Sequence, residues 1–87
     1  MITSRQLRAA RALAGIDQRA LAKASRLSLP TIQRMEGSDG VIRGNVESLM
    51  KLIAALERAG IELINEGAAS ASGGRGVRLT APARGKR

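Results

Sequence analysis

Residues 25–37 read SRLSLPTIQRMEG. Ile32 and Met35 stand three apart, with Thr31, Gln33 and Arg34 around them and a proline at position 30. Proline suits the first turn of a helix, where its missing N–H is no loss, and Ser28 is the type of residue that caps one. At about 100° per residue, Ile32 and Met35 define an inward side. Pro30, Gln33 and Arg34 then point away from it, with Leu29 and Thr31 on the flanks. A residue before proline avoids helical angles, so Leu29 is expected at or just outside the helix start. The outward face therefore carries specific hydrogen-bonding groups rather than generic charge.

Working upstream, Asp17 reads as an N-cap for a short helix, QRALAKA, with Leu21 and either Ala20 or Ala24 inward. Ala22 is the small residue at which another helix can cross closely. Ser25 and Arg26 make a tight turn and Leu27 plugs inward, so this helix and the next form a helix-turn-helix. A first helix is expected from Ser4 to Ala14, capped by Thr3 or Ser4 and stopped at Gly15. Its apolar positions are Leu7, Ala10, Leu13 and Ala14. Arg5, Arg8 and Arg11 fall on other faces, as a solvated row or, for two of them, as phosphate contacts.

Downstream, GSDGVIRG at 37–44 reads as a loop, and Asn45 caps a fourth helix, VESLMKLIAALERA. Val46, Leu49, Met50, Ile53 and Leu56 make its apolar stripe and Gly60 its stop. Beyond it, IELINE and VRLT have strand-like composition and can pair across GAASASGGRG; the competing expectation is a frayed tail after residue 66. An isolated two-stranded ribbon is scarcely stable in water, so such a pair must pack on the helices or on a second chain. The expected fold is mainly α: a four-helix domain at 1–60, a strand pair at 61–80 that can serve dimerisation, and a disordered basic tail at 81–87.

The chain has 87 residues and no Phe, Tyr or Trp. A domain this size buries only roughly 60% of the surface its unfolded chain exposes, so dimerisation is expected to supply part of the stability. The formal net charge is +8 and is unevenly spread. Residues 1–34 hold seven basic side chains and one acid, residues 35–66 three and six, and residues 67–87 five and none. A polyanion-binding face needs that asymmetry, although a merely solubilising surface is the plainer account of charge alone. Cysteine and histidine are absent, which excludes zinc or iron–sulfur sites built on soft ligands. No cofactor is expected. No apolar run approaches the ~18 residues of a membrane span and no signal-peptide core is evident, so a cytoplasmic, nucleoid-associated location is expected.

Catalysis needs a positioned base, nucleophile or metal. The serines fall in caps and linkers, and Glu36 with Glu47, or Glu62 with Glu66, read as surface pairs, so an enzyme is not expected. Groove chemistry gives the outward groups work instead. Gln33 can donate to and accept from adenine, Arg34 can meet guanine O6 and N7 or a phosphate, and Thr31, Leu29 and Pro30 can lie against a thymine methyl. Helix-start amides, with Gln18 and Ser28 beside them, can hold phosphate oxygens. Arg19, Lys23, Arg26 and Arg43 supply charge along the flanks.

The stretch LRAARALAGIDQRALAKASRLSLPTIQRMEG resembles the Cro and lambda-repressor-like helix-turn-helix domain, also called the xenobiotic-response-element type (XRE type). The likeness covers roughly residues 4–59. It is carried by DQRALA with Gln18 and Ala22, the inward Leu27, the capping Ser28, the TIQRME segment and Gly37 after Glu36. The ending GIELINEG followed by GVRL looks like a small bacterial subgroup in which a short pair of strands follows the helices. The resemblance implies a DNA-binding transcriptional regulator whose second motif helix enters the major groove, as a homodimer on two half-sites of double-stranded DNA. It places Leu29, Pro30, Thr31, Gln33 and Arg34 at base edges, Gln18 on a phosphate, and Arg43 and Asn45 on the backbone. Three departures stand out. Arg26 occupies a turn position where glycine is usual, Ile16 and Leu63 replace frequent aromatics, and apolar Leu29 and Pro30 replace commoner polar readers. A reading from another class is an antitoxin-like or adaptor module that chiefly grips a protein partner. A nonspecific nucleic-acid binder is disfavoured by the absence of stacking aromatics.

Overall fold

Four side-chain oxygens set where the helices begin. Thr3, Asp17, Ser28 and Asn45 each adopt extended backbone angles and accept from the amide three residues on, at Gln6, Ala20, Thr31 and Ser48. Each bond satisfies one of the donors that a helix start leaves open. The computed structural model describes residues 2–65 and 76–79. It contains α1 (Ser4–Ala14), α2 (Gln18–Ser25), α3 (Leu29–Gly37), α4 (Val46–Arg58), β1 (Ile61–Ile64) and β2 (Gly76–Leu79). This is the expected mainly α fold of four helices followed by a β-hairpin. The basic tail at 81–87 lies outside the described residues, as do 66–75 within the expected strand-pair region.

The helix ends follow backbone chemistry as well. Gly15 takes left-handed angles (φ 74°) after α1, and its amide donates to the carbonyls of Arg11 and Ala12. Arg26 does the same after α2, at φ 61°, the one non-glycine with positive φ among the described residues. The chain thus accepts left-handed angles at Arg26 rather than forming a different turn. Leu29 is the first residue of α3, and Pro30 sits in its first turn.

The core joins all four helices to the loop and the hairpin. Ile2, Leu7, Leu21, Ile32, Met35, Leu52 and Leu56 have essentially no exposure, and Ala10, Ala22, Ile42, Leu49, Ala55 and Ile61 fill in around them. Ile16, Leu27, Leu29, Leu63 and Val77 pack on its edge. Several expected inward positions turn out otherwise. On α4 the buried stripe is Leu49, Leu52, Ala55 and Leu56, whereas Val46 and Met50 are exposed and Ile53 is half-buried. On α1 Leu13 is exposed, and on α2 Ala20 and Ala24 are exposed while Ala22 and Ser25 are buried. Ser25 belongs to the helix, its Oγ donating to the Leu21 carbonyl at 2.7 Å. The 38–45 loop is anchored rather than loose. Ser4 N donates to Gly40 O at 2.9 Å, Ile42 N donates to Ile2 O at 3.1 Å, and Thr3 bridges Val41.

The hairpin is antiparallel, pairing Ile61 with Leu79 and Ile64 with Gly76. It packs on α1 and α4, the support that a two-stranded ribbon needs. One side chain fastens it. Gln6, 4% exposed, aims its amide nitrogen at Ile64 O (3.0 Å), Gly76 O (3.1 Å) and Asn65 Oδ1 (3.4 Å), while its Oε1 accepts from Thr3 N. Outside, Arg78 pairs with Glu62 at 2.7 Å. Among the described residues, no helix is long and apolar enough to cross a membrane.

Candidate nucleic-acid interface

The sequence of α3 separates its two sides cleanly. Ile32 and Met35 are buried to 1% exposure or less, and Pro30, Gln33 and Arg34 are exposed on the opposite side. Leu29 and Thr31 are half-buried on the flanks. Among the described residues, neither Gln33 nor Arg34 has a partner for its side chain, so their amide and guanidinium donors face outward.

What holds that face in place is a carboxylate. Glu36, on the inward side of α3 and 4% exposed, accepts from Arg11 Nε at 2.7 Å and Arg11 Nη2 at 3.1 Å, a two-pronged pair joining α1 to α3. Gln18, at the start of α2, donates to the same carboxylate at 3.1 Å. Arg8 donates to the Glu36 backbone carbonyl, and Arg11 Nη1 reaches Ile16 O at 3.3 Å. The hydrogen bonds that Arg11 donates to Glu36 raise its pKa above the ordinary value, opposed by burial and helped by the negative charges of Glu36 and Asp17. Arg11 therefore stays cationic. A carboxylate that gathers three donors from two other helices fixes their relative placement, and the short, charged, two-pronged bonds are of the stronger kind.

This cluster corrects two sequence expectations. Glu36 is a buried ion-pair partner rather than half of a surface pair with Glu47, because its placement four residues after the buried Ile32 puts it on the core side of α3. Arg8 and Arg11 are not a freely solvated row. Gln18, expected at a phosphate, is half-buried and already gives its amide nitrogen to Glu36, so its first task is bracing α2 against α3.

The remaining expected phosphate contacts lie on exposed ground. Arg19 and Lys23 are exposed on α2, and Arg43 is exposed before α4. Ser28 is exposed, but its Oγ accepts from Thr31 N at 3.2 Å and bonds Thr31 Oγ1 at 2.8 Å. Asn45 is exposed with its Oδ1 engaged by Ser48 N at 2.7 Å. Both therefore act first as caps. Asp17, the cap of α2, brings a negative charge to one helix start that an anion would approach. Arg26 and Arg58 line a cleft of about 470 Å³ together with Lys51 and Ala54, to which α3 contributes no residue, and Arg58 donates to Ala24 O at 2.9 Å. No group of acidic, His or Cys side chains able to hold a metal ion occurs among the described residues.

Sequence reasoning missed Arg11, Glu36 and Gln6. For Gln6 the capping-box spacing from Thr3 was a local signal; for the Arg11–Glu36 pair, 25 residues apart, nothing local announces it. Compared with protein-family models and with curated proteins, the chain finds no match.

Proposed function

We propose that this chain is a non-catalytic, sequence-specific DNA-binding regulator of transcription, acting as a homodimer on a two-fold symmetric site in double-stranded DNA. One observation carries the reading. Helix α3 buries Ile32, Met35 and Glu36 and turns Gln33 and Arg34 outward, with their hydrogen-bonding groups unspent among the described residues. Those two side chains match base edges in a major groove, Gln with one donor and one acceptor for adenine and Arg with a pair of donors for guanine. Pro30 and the flanks of Leu29 and Thr31 suit thymine methyl contact. Arg19, Lys23 and Arg43 supply the phosphate contacts that position the helix, aided by the exposed caps Ser28 and Asn45. The resemblance to XRE-type helix-turn-helix domains points the same way, and the cytoplasm is where such a protein would act.

The test is selection of bound sequences from a random duplex pool, with the recovered motif inspected for two-fold symmetry. On that motif, Gln33→Ala and Arg34→Ala each lose about 1–3 kcal/mol of discrimination at one base position. Lys23→Ala weakens all sequences alike and lowers the slope of log affinity against log salt by about one. No enriched motif, together with binding indifferent to salt, would overturn the reading.

A further inference from the structure

Helix α4 leaves part of its apolar surface bare. Val46 is 76% and Met50 57% exposed, and with the half-buried Ile53 and Ala54 they form one strip turned away from Leu49, Leu52 and Leu56. The charges around this strip indicate what covers it. Glu57, on the same outward side near the C-terminal end of α4, is exposed and pairs with no cation among the described residues. At the other end, Arg43 is exposed and pairs with no carboxylate among the described residues, and the first amides of α4 form the positive end of the helix. Between them Glu47 is already answered by Lys51 at 3.6 Å. One surface thus carries an unanswered acid at one end and unanswered positive charge at the other, with apolar side chains between. Rotated by 180° about its middle, it complements itself, as the patch of an isologous dimer must.

We infer that a second copy of this chain covers the strip, the two α4 helices packing antiparallel and crossing at Met50. In that register Met50 meets its own copy and Val46 lies against the partner's Ala54. Glu57 is then about 10.5 Å from the crossing point, ~4.5 Å past the partner's Val46, beside the start of its α4 and within reach of the partner's Arg43. Two helices of 13 residues, each about 20 Å long, bury less than the roughly 1,200–2,000 Å² of a stable complex. The association is accordingly weak and concentration-dependent. The surface deepens the homodimeric reading above and rests on it for its purpose; its geometry does not depend on DNA.

The experiment is sedimentation equilibrium of the full chain without DNA, from roughly 5 to 500 µM, a span that brackets weak association. The weight-average mass rises from monomer toward dimer. Met50→Glu keeps the helical circular dichroism of the parent, since residue 50 is exposed, and raises the dissociation constant by about tenfold or more. Glu57→Arg also weakens association, and adding Arg43→Glu to it restores the pairing with signs reversed. A parent chain that stays monomeric throughout, or a Met50→Glu chain that dimerises as well as the parent, overturns the inference. Binding of the monomer to a half-site duplex reports on the regulator reading separately, so either can fail alone.

Discussion

Removing the carboxylate at residue 36 should unfasten the outward face of α3 without touching it. Glu36 is 4% exposed and accepts from two nitrogens of Arg11 and one of Gln18. Glu36→Leu leaves those donors without an acceptor. Breaking a buried pair from one side costs about 3–5 kcal/mol when the remaining charge is trapped. The Arg11 side chain retains 24% exposure and can turn part of its guanidinium to water, so the loss falls nearer 2–3 kcal/mol. At roughly 0.05–0.15 kcal/mol per residue, that is between about a sixth and two thirds of the whole stability of such a chain. It corresponds to a fall in Tm of the order of 10–20 °C. Urea and thermal unfolding followed by circular dichroism measure it. Arg11→Met should cost at least as much, because the carboxylate left behind is 4% exposed and keeps only the neutral Gln18 as a donor. The double variant should be more stable than the sum of the two losses implies, by 1 kcal/mol or more. If Glu36→Leu lost under about 0.5 kcal/mol, or the two losses simply added, the carboxylate would not be what joins α1 to α3.

Two further outcomes follow from backbone and side-chain geometry. Arg26→Gly relieves left-handed angles at φ 61°; against the extra freedom glycine has when unfolded, the net gain is about 0.5–1 kcal/mol, seen as a higher Tm. An unchanged or lower Tm refutes the assignment of strain to that position. Gln6→Ala removes the amide that reaches Ile64 O and Gly76 O, costing about 1–2 kcal/mol. Amide hydrogen exchange should then quicken in β1 and β2 more than in α4, and uniform quickening would mean that the hairpin is held by its apolar contacts alone.

What was legible in the sequence was mostly local. Thr3, Asp17, Ser28 and Asn45 announce helix starts because a cap acts three residues away, and Gly15 announces an end because few other residues take its angles. The division of α3 into Ile32 and Met35 inward, Gln33 and Arg34 outward, followed from one helical period with no competing choice. On α4 the period allowed two choices. Val46, Leu49, Met50 and Ile53 fit a stripe, and so do Leu49, Leu52, Ala55 and Leu56, which is the one that packs against its neighbours. Side-chain size favoured the first, since Ala55 looks like filler beside Met50, but only the position of the helices around it decides. Glu36 was misread because a carboxylate is normally solvated, and its exception depends on an arginine on another helix. Gln6 is the same case at longer range, its partners lying in a hairpin 58 to 70 residues on.

The bracing of α3 from beneath also bears on the thermodynamics of its proposed encounter with a duplex. A helix already fixed to two others at Glu36 has little backbone freedom left to surrender, so the entropy lost on docking falls on the side chains of Gln33 and Arg34 and on the trapped water. The heat-capacity change should then match the apolar area covered, without the surplus that marks folding coupled to binding. A mismatched base pair would be met by two side chains seeking new rotamers over an unmoved scaffold.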